Sequence, residues 1–471
     1  MKILLVMSPM FSHKTHCLAN TDTEIPIGLC YLAGMLEKHG YSVTILDGQV
    51  VSDIDKKLEE LLKNNNFQAI GFSSTSPAIS NTKRLTALAK RIKPKTPVFL
   101  GGAHPTVLGP KILEELTDVD VAVLGEGENT ILELMEYVKG RMRLDNISGI
   151  AFRKQGKIIT TKPREFIADL DIIPFPAFHL VDILKYTPPP GLFFKKPTVG
   201  VASARGCPYN CNYCADSLLW HRKCRMHSAN YVADMMELLA KKYGVKEIRF
   251  FDDTFTINRE RVVDICNKLL EKNLNLLWRC ALRADRVDYE LLKLMKKAGL
   301  CSISYGIESG SEEILKKMNR QITIDQIRQA VKWSKSLGIE TKGFFMLNYP
   351  GDTIKTTEET IALSRELDLD FVGFNLTVPF LGTQVREEVL KNCQIEPKYW
   401  DNWDKPIGNQ IYFYQKDLPP EYLKKAYLKA IRGFHLRPKM ILRSFMKIKS
   451  RDILKSYFKG FLRMFRIKVL D

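Results

Sequence analysis

The sequence predicts an α/β protein: an N-terminal doubly wound, Rossmann-like sheet, a second run of six strand–helix units, and a C-terminal helical extension. Short apolar runs alternate with amphipathic helical stretches over residues 1–145, and the alternation resumes over 198–385. Strand and helix at that pitch build parallel sheets. Residues 146–197 between them are rich in proline and read as a linker, while 386–471 is basic and helix-rich. At 471 residues the chain is too long for one typical core.

In the first run, strands are expected at Lys2–Met7, Ser42–Leu46, Ala69–Ser73, Val98–Leu100 and Val121–Leu124. Helical stretches at Ile27–His39, Ile54–Asn64, Ser80–Lys93, Lys111–Leu116 and Thr130–Lys139 separate them. The apolar part of the opening Met1–Met7 is short and stopped by Pro9, so it reads as a first strand rather than a secretory signal. Ligands of doubly wound sheets sit beyond the carboxyl ends of the strands. Those ends carry Ser73, Ser74 and Thr75, then Gly101, Gly102 and His104, then Glu126 and Gly127. Small and hydroxyl residues there let a bulky ligand approach the backbone, though they are also ordinary turn residues.

Within the linker, Ile150–Arg153 and Lys157–Thr161 flank Gln155-Gly156 and predict a hairpin. Ile173-Pro174-Phe175-Pro176 and Thr187-Pro188-Pro189-Pro190-Gly191 then break all periodicity. Phe175, Phe178, Phe193 and Phe194 are read as aromatics that pack this stretch onto its neighbours, with the lining of a substrate channel as the alternative.

The second run opens with a strand at Val199–Ala202 that feeds Arg205-Gly206-Cys207-Pro208-Tyr209-Asn210-Cys211-Asn212-Tyr213-Cys214. A Gly before and a Pro within the segment predict a tight loop whose three thiolates converge on one centre. Iron–sulfur clusters are held by Cys thiolates, and one held by only three leaves an iron open to an outside ligand. Zinc is the alternative, because His221, Cys224 and His227 follow closely and zinc accepts Cys and His together. Further strands are expected at Ile248–Phe251, Leu277–Ala281, Ser302–Gly306, Gly343–Leu347 and Phe371–Thr377.

The CxxxCxxC spacing, with Tyr213 in the aromatic position before the last Cys, resembles the signature of the radical S-adenosylmethionine (SAM) enzymes. The resemblance implies a [4Fe–4S] cluster on Cys207, Cys211 and Cys214. Its open iron takes the amino and carboxylate groups of SAM, and reduction cleaves SAM to methionine and a 5′-deoxyadenosyl radical. It also implies that the six strands form a partial (β/α)6 barrel with its chemistry at the strands' carboxyl ends. Asp252 and Asp253 then stand where the family's amino-group motif reads Gly-Gly-Glu, Arg283 is a fork donor for the SAM carboxylate, Glu308 and Ser309 match the ribose segment, and Met346 lies where backbone reaches the adenine.

The first run in turn resembles the cobalamin-binding domain that precedes the barrel in one large subfamily, with Pro26-Ile27-Gly28-Leu29 as the entry to its first helix. At the position of that fold's DxHxxG motif the chain reads Asp47-Gly48-Gln49. The resemblance therefore implies cobalamin held without a protein histidine on cobalt, by the strand-end residues from Ser73 to Gly127 named above.

Composition is that of an ordinary globular protein, 45% hydrophobic and 26% charged. No apolar run approaches the ~18–20 residues a membrane helix needs. Cys17, Cys30, Cys266, Cys280, Cys301 and Cys393 are scattered, which suits reduced thiols in a cytoplasm. Of the net +18, fifteen Lys or Arg against Glu421, Asp452 and Asp471 place +12 in residues 421–471. Tyr399–Trp403 and Tyr412–Tyr414 precede helices expected from Pro419 to Arg432, at Met440–Ile448 and at Ile453–Ile467. In the last, Leu454, Tyr457, Phe458, Phe461, Leu462 and Phe465 form an apolar stripe among Lys455, Lys459, Arg463 and Arg466. Such a helix either lies on anionic lipid or packs its stripe on the barrel; nucleic acid is disfavoured, because no RNA- or DNA-binding module accompanies it.

The expectation is a cobalamin-dependent radical SAM enzyme that C-methylates an unactivated carbon of a small-molecule substrate, with a lipid compatible with the tail and a flavodoxin or ferredoxin as reductant. Oxidative cyclisation or hydroxylation of the protoporphyrin ester cyclase type is the alternative within that class. A zinc-stabilised binder of nucleic acid or membrane is the alternative outside it.

Overall fold

The first unit runs β1 (Lys2–Met7), α1 (Ile27–Lys38), β2 (Ser42–Asp47), α2 (Ile54–Asn64), β3 (Ala69–Ser73), α3 (Ile79–Ile92), β4 (Val98–Gly101), α4 (Ala103–Leu108), α5 (Ile112–Glu115), β5 (Val121–Val123), α6 (Glu128–Val138), β6 (Ile150–Lys154) and β7 (Lys157–Thr160). In β1, Ile3, Leu4, Leu5 and Val6 are all buried, the pattern of a strand covered on both faces. Leu4 and Val6 join one apolar layer with Leu58 and Leu62 of α2 and Leu85 and Leu88 of α3. Ile3 and Leu5 join another with Leu29 and Leu36 of α1 and Ile131 and Leu134 of α6. Two layers on one sheet are the doubly wound arrangement expected. This computed structural model describes residues 1–10, 23–186, 188, 193–396 and 410–446.

The sheet order is β2-β1-β3-β4-β5-β6-β7, parallel through β5 and antiparallel for the last two strands. The hairpin expected around Gln155-Gly156 forms, with both turn residues at positive φ, 50° and 76°, which a two-residue turn requires. It is no part of a bare linker: Val121–Val123 pairs with Ile150–Phe152, so β6 and β7 extend the sheet and cover the edge of β5. The unit runs on to Pro188. Leu170, Ile173 and Phe178 are buried, and the Ala177 N–H donates to the carbonyl of Cys30 at 2.9 Å. Residues 146–188 are therefore tied to the first unit by apolar burial and backbone pairing, which their prolines hide in the sequence. Phe194, by contrast, is 44% exposed. A helix, α4, also begins where a loop was expected, at Ala103.

The second unit runs β8 (Thr198–Val201), β9 (Ala204–Arg205), α7 (Asp216–Trp220), β10 (Arg225–Met226), α8 (Ala229–Tyr243), β11 (Glu247–Phe250), α9 (Arg259–Glu271), β12 (Leu277–Leu282), α10 (Tyr289–Lys297), β13 (Leu300–Glu308), α11 (Glu312–Lys317), α12 (Ile324–Ser336), β14 (Glu340–Leu347), α13 (Ile354–Glu366), β15 (Phe371–Leu376), α14 (Gln384–Asn392), β16 (Gln394–Ile395), β17 (Phe413–Tyr414), α15 (Pro420–His435) and α16 (Pro438–Met446). Six strands form one parallel sheet in the order β15-β14-β13-β12-β11-β8. Sequential order with a helix after each strand is the open-barrel topology expected. The two-residue pair β9–β10 was not foreseen; it closes the cysteine loop at its base.

α15 starts at Pro420, whose missing N–H costs nothing in a first turn, and runs past the expected end to His435. Cys17, Thr187, Pro189–Gly191, Tyr399–Trp403 and the basic stripe of 453–467 lie outside the described residues. No helix among the described residues is long and apolar enough to cross a membrane.

Candidate active site

Asp252 and Arg261 fix how β8 leaves the sheet toward the cysteine loop. Asp252, two residues past the end of β11, is buried and accepts from the Ser203 N–H at 2.6 Å, the Ser203 hydroxyl at 2.5 Å and the Ala204 N–H at 3.1 Å. Arg261 of α9 completes the staple, donating to the Ser203 carbonyl at 2.9 Å and hydroxyl at 2.8 Å and to the His227 carbonyl at 2.6 Å. Asp252 was expected to contact SAM; its carboxylate is committed instead to holding the strand exit. Gly206 follows at φ 84°, where a Cβ would meet the Lys223 carbonyl at 2.3 Å, so the loop's entry admits only glycine.

The cysteine loop is seated on residues 317–321, a stretch the sequence reading passed over. Asn212 donates from its N–H to the Met318 carbonyl at 3.1 Å and from its side chain to the Lys317 carbonyl at 2.8 Å. Asn319 donates to the Asn210 carbonyl at 2.8 Å, and Arg320 Nη1 lies 3.7 Å from Cys211 Sγ. Cys211 is buried, while Cys207 and Cys214 are half-buried. Burial raises the Cys207 thiol and pushes Cys214 up to about 12.

Among the described residues no three His, Cys, Asp or Glu side chains are gathered closely enough to hold a single metal ion. A four-iron cubane takes one thiolate at each of three corners, a wider set than a tetrahedral zinc site, and three soft donors on a preformed loop fit it. Of the residues raised for zinc, His227 stacks on Tyr231 at 3.8 Å, and burial pushes Cys224 up to about 11.

Around the loop lie two clusters. Asp253 shares a hydrogen bond with Asp216, and burial and the neighbouring Asp253 push Asp216 up to about 7. Glu308 sits at φ 68° with its carboxyl 3.9 Å from Arg320, and burial raises it despite that cation. Ser309 is turned away to the Thr360 hydroxyl at 3.1 Å and the Ser311 N–H at 3.1 Å, which leaves the ribose role expected of it without a free hydroxyl. Met346 is half-buried near the carboxyl end of β14.

Arg283, expected as the carboxylate fork, is buried and already spends Nε and Nη2 on Asp285 at 2.9 and 3.1 Å, with Nη2 also reaching the Arg320 carbonyl at 2.9 Å. Its guanidinium lies 3.6 Å over the Tyr209 ring. Nη1 alone has no partner among the described residues. One buried donor, rather than a fork, is what remains for a SAM carboxylate.

The first unit's strand ends are built differently. Gly102 has φ 111°, and a Cβ there would lie 2.5 Å from the Ser74 carbonyl, so the exits of β3 and β4 press together over a bare backbone. Ser74 is tied to the Gly101 carbonyl and to Thr82. His104 meets the Ser76 hydroxyl through Nδ1 at 2.9 Å, and burial lowers its pKa. Ser8 Oγ, Thr75 Oγ1 and His104 Nε2 are buried with no partner among the described residues.

A glycine cradle rimmed by uncharged donors and acceptors fits a large cofactor edged with amides. Ser8, just past β1, was missed although it carries the same signal as Ser73–Thr75. Glu126 does not join this rim: its carboxylate accepts from the Ile167 N–H at 2.8 Å. Gly127 leaves room for Leu32, 3.1 Å from where its Cβ would be. Asp47 is turned inward, accepting from Gln49 and from Tyr186 at 3.0 Å, and burial raises it.

Residues 201–364 match the radical SAM superfamily and residues 20–135 the B12 binding domain. An uncharacterized methyltransferase of Pyrococcus horikoshii is 31% identical over 465 residues, spanning 99% of each chain. The anaerobic magnesium-protoporphyrin IX monomethyl ester cyclase of Rubrivivax gelatinosus is 30% identical over 377 residues, 79% of this chain and 67% of that one. Among solved structures, the radical SAM methyltransferase TsrM of Kitasatospora setae, with cobalamin and a [4Fe–4S] cluster bound, superposes with a TM-score of 0.68 at 18% identity, covering 83% of this chain and 74% of that one. The chain belongs to the radical SAM superfamily, in the methyltransferase-containing branch that carries a B12-binding domain, and its cofactors are a four-iron cluster, SAM and cobalamin.

Proposed function

We propose that the protein transfers a methyl group to an unactivated carbon of a small hydrophobic molecule. The observation that carries this reading is the 31% identity with the P. horikoshii methyltransferase over nearly the whole of both chains, including the region that holds the cysteine loop. When bound, the cofactors supply hydrogen abstraction from carbon and delivery of the methyl group; the protein supplies binding, orientation and electrostatics. Cys207, Cys211 and Cys214 would hold the cluster. Arg283 Nη1 would serve the SAM carboxylate, Asp253 its amino group, Glu308 its ribose, and backbone near Met346 its adenine. Ser8, Thr75 and His104, with the bare backbone of Gly101 and Gly102, would hold cobalamin, and Gln49 stands where a histidine ligand to cobalt would be.

A lipid substrate and a peripheral membrane contact rest on the basic stripe of 453–467. The electrons come from a one-electron carrier of the flavodoxin or ferredoxin type. Similarity to the cyclase of R. gelatinosus favours oxidation as the second reading.

Product mass separates the two. Anaerobically reconstituted protein, given SAM carrying a labelled methyl group and extracts of a deletion strain, should add one labelled methyl to an accumulated compound. A product that has lost hydrogens or gained oxygen, with the label left behind, replaces methyl transfer with the cyclase-type reaction.

A further inference from the structure

Arg320, beside the cysteine loop, reaches a sulfur. It is 8% exposed, and its neighbours Asn319 and Gln321 both take the left-handed conformation, each at φ 52°. Two non-glycine residues in that region are held by their surroundings. Asn319 is tied to the Asn210 carbonyl, and the Arg320 and Gln321 carbonyls both accept from Arg283 Nη2, at 2.9 and 3.2 Å. The kinked backbone thereby aims one guanidinium. Its Nη2 donates to the Gly306 carbonyl at 2.6 Å, and its Nη1 meets Cys211 Sγ at 3.7 Å.

Gly306 is a condition of that pose, since a Cβ there would come within 2.7 Å of Nη2. The counter-charge is loose: Glu308 stands 3.9 Å away. A buried cation with an incomplete ion pair lends its charge to what lies beside it.

We propose that Arg320 is a positioning residue that sets the reduction potential of the cluster by donating Nη1–H to the Cys211 thiolate. This rests on the reading that the loop holds a four-iron cluster. One electron from an external one-electron carrier enters the cluster and no bond is made or broken, so the reduced form carries one more negative charge. A hydrogen bond to the sulfur and a fixed cation beside it favour that form, and hydrogen bonds to cluster sulfurs and net charge are established determinants of cluster potential. Arg320 thereby eases the reduction that SAM cleavage requires without touching SAM.

The test is a potentiometric titration of the reconstituted cluster in the full-length protein, followed by its electron paramagnetic resonance signal, with SAM left out. Arg320→Gln should lower the midpoint potential by about 59 mV, a tenfold shift of the one-electron equilibrium, with iron and sulfide per chain unchanged. Arg320→Lys, which keeps the charge and loses the fork, should fall between. The difference from wild type should be the same at about pH 6 and about pH 9, because a guanidinium does not titrate there.

Full iron and sulfide with an unmoved potential in Arg320→Gln overturns the proposal. Should Arg320→Gln fail to hold the cluster, Arg320→Lys decides in its place, and a wild-type potential in that variant overturns the proposal as well. Wild-type protein that binds no iron and sulfide sinks the cluster reading beneath it, a result the metal analysis alone reveals.

Discussion

The carboxyl ends of the two parallel sheets solve different problems with different residues. In the first unit the ends of β1, β3 and β4 carry glycine and uncharged polar groups, and Ser8, Thr75 and His104 each keep a buried atom unsatisfied. In the second, charges crowd the corresponding ends and are mostly spoken for: Asp252 by Ser203 and Ala204, Arg283 by Asp285, Arg320 by Gly306 and Cys211. A large ring edged with amides suits many weak donors on bare backbone. An anionic cluster and a cationic sulfonium instead need charges fixed before they arrive, and fixing costs side chains that never touch the ligand. Charged residues at a barrel's strand ends are thus divided between scaffold and site, and hydrogen bonding tells which is which.

Mutations can break that contrast, beginning where the effect is largest. Cys211→Ala should abolish release of 5′-deoxyadenosine and strip iron from the protein, whereas Cys224→Ser should leave both intact; iron loss in the latter would return the zinc-like set to contention. Asp252→Ala takes the acceptor away from the Ser203 and Ala204 N–H groups and from the Ser203 O–H, and should cost about 3 kcal/mol in denaturant unfolding of the second unit. Asp253→Ala should leave that stability unchanged and raise the KM for SAM.

In the first unit, Ser8→Ala, Thr75→Val and His104→Ala should each weaken cobalamin binding about tenfold, the worth of about one hydrogen bond, as read by spectroscopic titration. If all three bind cobalamin as wild type does, the unsatisfied atoms mark something else. The smallest effect concerns Asp352, which burial pushes up to about 6. A carboxyl raised in the folded state binds its proton more tightly there than in the unfolded chain, so its contribution to stability falls as pH rises from about 4 toward 6. Asp352→Asn, free of that loss, should gain thermal stability relative to wild type across the same window.

Most of the fold was legible because parallel strands covered on both faces are written as unbroken apolar runs, such as Ile3–Val6 and Val199–Val201. The hairpin was legible too, from Gln155-Gly156, but not its partner: that β6 pairs with β5 depends on contacts no local pattern encodes. The same limit governs the site. CxxxCxxC announces its ligands because all three lie within eight residues of sequence. Asp252 and Asp253 look alike in sequence, and only the exit of β8 decides which turns inward. Lys317–Gln321 reads as the polar end of a short helix; nothing local signals that its carbonyls and Arg320 belong to a loop a hundred residues earlier.

That seat also ties together two stretches of chain far apart in sequence. Because Asn212 donates to the Lys317 and Met318 carbonyls and Asn319 donates to the Asn210 carbonyl, a substitution in the short turn after α11 reaches the cysteines without altering one of them.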